Sequence, residues 1–216
     1  MVMKQILFIL LFATSCIFAS SAPKTHDGFF LNGVLGLGYG KYLEEYKNDG
    51  FKMQSEGNQV QFGVKVGGAI MQNFILHGIL ELNSFTDGLS LEAINNNQLT
   101  IDNVLEKNSY VKTLFFGGGV TYYLPTESNI YLSASLGSVL YTEYSVNLRG
   151  KTKKISSHDA SLGFLLSVGK EWWVGNELGL GVAASYKQSS TKSEFLGVKG
   201  DTSFKTFSVA ISLTFN

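Results

Sequence analysis

From Gln59 to Ile70 the chain alternates residue by residue. Val60, Phe62, Val64, Val66 and Ile70 fall on one face, and Gln59, Gln61, Gly63, Lys65, Gly67 and Ala69 on the other. A repeat of two is that of a strand whose faces meet unlike surroundings. The pattern recurs where Phe207, Val209, Ile211, Leu213 and Phe215 oppose Thr206, Ser208, Ala210, Ser212 and Thr214. It recurs again where Ile130, Leu132, Ala134, Leu136 and Leu140 oppose Ser133, Ser135 and Gly137. Carried along the chain, the alternation predicts eight strands, at 29–42, 58–70, 74–86, 109–123, 130–144, 158–171, 177–188 and 203–215. Their connections alternate between short (71–73, 125–128, 172–176) and long (43–57, 87–108, 145–157, 189–202).

Alternation alone does not say whether the apolar face looks out to lipid or in to a core. The other face decides it. On a soluble eight-stranded barrel that face would meet water and carry many Lys, Glu and Asp; here it carries mostly Gly, Ser, Ala, Thr and Gln. Small residues suit the cramped interior of a barrel of this size. Most charges fall instead in the long connections, as at Glu44, Glu45, Lys47 and Asp49, or Lys151, Lys153 and Lys154. The predicted strands also reach or exceed the roughly 9–11 residues needed to cross hydrocarbon at a tilt, against about 5–6 in soluble sheets. The expected fold is therefore all-β: an eight-stranded antiparallel up-and-down transmembrane β-barrel with short periplasmic turns and longer extracellular loops.

Composition agrees with a membrane barrel. Charged residues make up only 16% of the chain, Gly is abundant at 24 and Pro scarce at 2. The 17 basic and 17 acidic residues leave no positive field for nucleic acid. No run of about 18 apolar residues follows the N-terminal segment, which argues against a helical membrane protein. In that first segment Lys4 precedes an apolar run, and Ser20, Ser21 and Ala22 supply small residues before Pro23. This reads as a signal peptide, residues 1–22, cut after Ala22 or after Ala19, with the barrel at 23–216. An uncleaved anchor would need a longer unbroken run and a basic flank. The sole cysteine, Cys16, sits in a weak lipoprotein-like box (Ala13-Thr14-Ser15-Cys16), a minor alternative. Cleavage at Ala22 leaves no cysteine for disulfides, thiolate metal sites or nucleophilic chemistry.

The stretch Gly117-Gly118-Gly119-Val-Thr-Tyr-Tyr-Leu-Pro, leading into Asn129-Ile-Tyr-Leu-Ser-Ala-Ser-Leu-Gly, resembles the eight-stranded outer-membrane barrels of the OmpA/OmpX type. So does Gly169-Lys-Glu-Trp-Trp-Val-Gly-Asn-Glu-Leu-Gly-Leu-Gly-Val-Ala, and the likeness extends from Gly28 to Asn216. The resemblance implies a monomer in a bacterial outer membrane, in contact with outer-membrane lipid and lipopolysaccharide, and no cofactor. It also implies a terminal aromatic read by the barrel-assembly machinery, here Phe215, which is penultimate rather than last.

Within this frame the expected interfacial aromatic girdle is Tyr39, Tyr42, Tyr122, Tyr123, Tyr131, Tyr141, Tyr144, Trp172, Trp173 and Tyr186. Lys65, His77, Glu81, Glu143, Lys187 and Lys205 are expected inside the barrel, with Lys65 and Glu81 in diagonal reach of each other. Such charges must pair or stay hydrated, so the cluster reads as a polar plug, with a narrow gated channel as the functional alternative. Only Ser156, Ser157, His158 and Asp159 suggest catalysis, of the lipid A-modifying kind, but Ala160 occupies the place where a His-x-Ser motif needs its serine. A solvated loop edge explains them better. His26 and His77 are isolated, which predicts no metal site. The glycine runs at 33–38 and 117–119 lead into no helix pattern and so are not phosphate loops. The expected function is non-enzymatic, structural or adhesive. Its ligands, a host or surface factor, would meet the loops, foremost 87–108 with Asn95-Asn96-Asn97.

Overall fold

The computed structural model describes residues 28–46, 51–85, 90–93, 111–126, 128–148, 151–155, 161–175, 177–195 and 198–215. The expected signal peptide with Cys16, His26, the Ser156–Asp159 cluster and Asn95–Asn97 lie outside the described residues. Ten strands form: β1 Phe29–Tyr46, β2 Phe51–Met71, β3 Phe74–Phe85, β4 Ser90–Ala93, β5 Val111–Tyr123, β6 Ile130–Leu148, β7 Lys151–Ile155, β8 Ser161–Trp173, β9 Leu178–Phe195 and β10 Val198–Phe215. Eight of them make a closed, all-antiparallel up-and-down barrel. Each barrel strand pairs with the next, and β1 pairs with both β2 and β10, which closes the ring. The two short strands extend the wall at one end only, β4 on the start of β2 and β7 on the end of β6.

At that same end β1 and β2 stay paired out to Tyr46 opposite Phe51, and β9 and β10 out to Phe195 opposite Val198. Three of the expected long loops (43–57, 145–157, 189–202) are thus largely hairpin. These segments carry polar residues on both faces, so they lack the one-sided apolar alternation by which a strand is recognised, while backbone pairing continues regardless of side chain. At the opposite end the connections are tight. Gln72 and Asn73 join β2 to β3, with Asn73 in the left-handed region at φ 66, a conformation asparagine tolerates better than most residues. Asn129, at φ 48, ends the turn between β5 and β6.

The apolar face looks outward. Val60, Phe62 and Val66 are 40%, 52% and 48% exposed, and on β10 Phe207, Val209, Ile211, Leu213 and Phe215 are all exposed while Thr206, Ser208, Ala210, Ser212 and Thr214 are buried. A lipocalin-type arrangement, with its apolar face inward, is the reverse. The interior fits because its walls differ in size. Glycines of β1 lie under bulky side chains of nearby strands: a Cβ at Gly38 would lie 2.9 Å from Gln59 Nε2 on β2, and one at Gly40 2.9 Å from the Phe85 ring on β3.

Ile211 sits midway along the outward row of β10. Ile211→Arg is expected to lower the stability of the barrel refolded in lipid vesicles by about 2–4 kcal/mol, read by urea titration. The same change at a water-facing position would cost little.

Candidate functional site

The inward side chains fill the barrel in layers. Nearest the tight turns, Phe30, Ile75, Tyr123, Tyr131 and Ala183 pack together, with Tyr123 and Tyr131 ring centroids 5.4 Å apart. The Tyr131 ring lies over Gly169, its cross-strand partner, where a Cβ would collide with the ring. Glu171 is buried beside this cluster, and its carboxylate is met by donors. Tyr123 OH donates to Oε2 at 3.0 Å, and Thr214 Oγ1 donates to Oε1 at 2.6 Å. Asn32 Nδ2 in turn donates to Thr214 at 2.8 Å.

One layer further in, Lys65 Nζ donates to Ser133 Oγ at 3.0 Å, and Thr121 Oγ1 donates to the same oxygen at 2.9 Å. His77 Nε2 lies 3.1 Å from Thr121 Oγ1. Beyond them Glu81 collects three donors: Lys187 Nζ at 2.7 Å, Gln61 Nε2 at 2.7 Å and Asn83 Nδ2 at 3.2 Å. The Lys187 ammonium also stands 5.2 Å from the Phe204 ring centre and 5.9 Å from that of Phe115. Phe204 meets Phe85 edge-on at 5.7 Å, an arrangement that suits the ring quadrupoles. Above this pair Tyr42 and Tyr46 both donate their hydroxyls to Glu44.

The plug sets two buried cations among three buried carboxylates, the third being Glu44 under its two tyrosines. Lys65 and Lys187 face Glu81 and Glu171, all 5% exposed or less. Removing a charge from water costs several kcal/mol per ion unless partners replace the lost hydration, and each of these four is bonded to at least one side chain. The arrangement holds strands together across the lumen rather than along the wall: Lys187 on β9 reaches Glu81 on β3, 106 residues away in sequence.

Lys65, His77, Glu81 and Lys187 lie inside, where the alternation put them. Lys65 is diagonal to Glu81 in register, but its bonded partner is Ser133 and Glu81 takes Lys187. Lys205 is a correction: it points outward and is exposed, because it shares parity with Phe207 and not with Thr206. The Glu143 backbone is in β6, and its side chain lies outside the described residues. The sequence reading missed Glu171 and Glu44 as interior carboxylates. The parity of Glu171 with Gly169 and Trp173, and of Glu44 with Tyr42, would have found both.

The girdle is half corrected. Tyr39, Tyr122 and Tyr186 are exposed on the outer face at 53%, 39% and 36%, whereas Tyr42, Tyr123, Tyr131 and Trp173 are buried inside. Trp172 is half-buried on the outer side, where the Lys170 ammonium stands 5.2 Å from its ring. The side chains of Tyr141 and Tyr144 lie outside the described residues. Proximity to a strand end fixes height, not direction, so four of the eight described rings plug the lumen instead of anchoring at an interface. Phe215 faces outward at 42% exposure, paired with Leu31 and Leu178. Among the described residues no cluster of three or more His, Cys, Asp and Glu could hold a metal ion.

This architecture is that of the eight-stranded outer-membrane β-barrels. The chain matches no protein-family model and no curated protein sequence. Among solved structures it is similar to the outer membrane protein OprG from Pseudomonas aeruginosa, at 11% identity and a TM-score of 0.51, over 89% of this chain and 100% of that one. It also matches the Neisserial surface protein A at 11% identity and TM-score 0.48, over 89% and 99%. The outer membrane protease OmpT from Escherichia coli matches at 10% identity and TM-score 0.45, over 91% and 99%. At such identity the likeness to OprG defines the fold and nothing finer.

Breaking the central ion pair on one side leaves a buried, uncompensated charge. Lys187→Met is expected to destabilise the refolded barrel by about 3–5 kcal/mol, measured by urea unfolding in vesicles. Adding Glu81→Gln to the same chain recovers most of that loss.

Proposed function

We propose that the chain is a non-enzymatic outer-membrane barrel, with its tight turns in the periplasm and its hairpins outside the cell. Its role is structural and adhesive, exercised through those hairpins. The observation that carries this reading is the filled lumen: buried, mutually bonded side chains occupy the barrel from Glu171 to Phe204. The chemistry open to partners is then that of the outer surface and the hairpin ends. Lipid, including lipopolysaccharide, covers the apolar belt; Phe215 is the element read by the barrel-assembly machinery; and a host or surface ligand would meet the hairpins. The chain works as a monomer, since closure leaves no barrel edge for a second copy to pair with.

One observation favours a second reading, a narrow channel for small solutes. In the hairpin-side half of the lumen the Gln59 amide, Gln61 Oε1, Asn83 Oδ1 and the Thr113 hydroxyl have no hydrogen-bond partner among the described residues. Buried polar atoms of this kind are normally satisfied by water, which makes this the stretch of the lumen that water would enter first. The Phe85–Phe204 pair and the Lys187–Glu81 bridge then act as the closure.

Planar-bilayer recordings decide between the two. The purified barrel is expected to stay silent; steady unitary conductance from the wild type would replace the adhesive reading with the channel. Topology has its own test, because Cys16 is the only native cysteine. In intact Gram-negative cells a membrane-impermeant maleimide is expected to label Lys192→Cys, at the hairpin end, and to spare Ser128→Cys, in a tight turn. The opposite pattern would invert the barrel.

A further inference from the structure

The outward side chains of β1, β2, β9 and β10 form horizontal rows whose chemistry changes abruptly with height. Cross-strand register places Tyr39, Phe207 and Tyr186 side by side, all exposed. Below that row lie Leu37 and Val209, then Leu35, Ile211 and Val182, apolar and exposed in the direction of the tight turns. One row above the aromatics the register aligns Glu56, Lys41, Lys205 and Gln188. Lys41 and Lys205 are therefore direct cross-strand neighbours, and both are exposed. Like charges placed opposite each other on one sheet face repel, so this arrangement is unfavourable unless an anion lies between them.

The chain supplies only part of that anion. Glu56 reaches Lys41 at 3.0 Å from the far side, and Tyr39 OH donates to Glu56 at 3.1 Å, which holds the carboxylate away from Lys205. This pair is half exposed, at 47% and 42%, and exposed pairs of this kind contribute little and exchange readily. On the other flank Tyr186 OH donates to Gln188 Oε1 at 2.8 Å. That bond occupies the amide oxygen and leaves the NH2 group as the donor Gln188 brings to its place beside Lys205. Two ammonium groups and one amide donor thus stand directly over an aromatic row and an aliphatic stripe.

We propose that this patch binds the phosphate group of an outer-leaflet lipid, with Lys41 and Lys205 as the cations and the acyl chains lying along Leu37, Val209 and the rows beneath. The site rests on the reading that the barrel sits in an outer membrane. The apolar rows immediately below the lysines favour an acylated phosphate over a soluble one, because the same ligand then covers both surfaces. Tyr39, Phe207 and Tyr186 mark the boundary between headgroup and chains.

The test uses the full barrel in detergent, with lipid retention read by native mass spectrometry. The probes are a bis-phosphorylated lipid A, the same lipid without its phosphates, and inorganic phosphate as competitor. Wild type is expected to retain the phosphorylated lipid at least tenfold better than Lys41→Gln/Lys205→Gln. The double variant is expected to hold it no better than wild type holds the dephosphorylated form. Lys112→Gln, a lysine exposed on the far wall, serves as a control and leaves retention unchanged. Glu56→Gln, which frees Lys41, raises it. Equal retention by wild type and double variant would overturn the proposal, as would complete displacement by millimolar inorganic phosphate, which would reassign the patch to a soluble anion. Migration of boiled and unboiled samples is compared in parallel. A heat-dependent shift in every variant keeps the barrel reading intact even if the lipid result fails, whereas a wild type without a shift overturns both.

Discussion

Closure of the hydrogen-bond ring is the constraint on which the rest of this structure depends. A strand that leaves backbone N–H and C=O groups facing hydrocarbon pays several kcal/mol for each one, so a sheet can cross lipid only if its first and last strands meet. Here β1 meets β10 over Leu31–Glu45 and β2 over Phe29–Tyr46. With no barrel edge left to protect, the outer face is free to be apolar, and it is. Every strand then has one face committed to lipid and one to a lumen of fixed, small radius.

That radius governs the interior. Gly38 and Gly40 of β1 have no space for a Cβ because side chains of nearby strands, Ser208 and Thr206 on one side and Gln59 and Phe85 on the other, lean over them. Large against small is how a narrow cylinder is filled without voids. Charged groups survive in this space because they meet one another or fixed donors: Lys187 with Glu81, Lys65 with Ser133, Glu171 with Tyr123 and Thr214. The same network that removes the desolvation penalty ties non-adjacent strands together and blocks the axis. The hairpins that continue β1–β2, β6–β7 and β9–β10 lie beyond this network, at one end of the barrel.

The outer surface is itself stratified. Aliphatic rows give way to Tyr39, Phe207 and Tyr186, and these to Lys41 and Lys205, within a few residues along the same strands. A bilayer leaflet shows the same succession of chain, interface and headgroup. The match between the two profiles is the basis of the lipid-phosphate site proposed for Lys41 and Lys205.

Period-two alternation by itself determined the class: eight barrel strands, an apolar belt and short turns at one end; that the interior also holds large rings such as Phe85, Phe115 and Phe204 only the structure showed. Alternation could determine the class because lipid and lumen are so unlike that each residue's character reports its side. Where polar residues stand on both faces, as along Leu43–Tyr46, the contrast vanishes and the alternation no longer marks a strand. Strict parity puts Lys65, His77, Glu81, Glu171 and Lys187 inside and Lys205 outside, as the structure has them. Parity also separates Tyr123 from Tyr122 and Trp173 from Trp172, which proximity to a strand end does not. The partner of each interior charge was beyond the sequence altogether. Lys187 finds Glu81 only because closure brings β9 across from β3, and a distance set by the circumference of a closed sheet is a property of the whole ring, not of any segment in it.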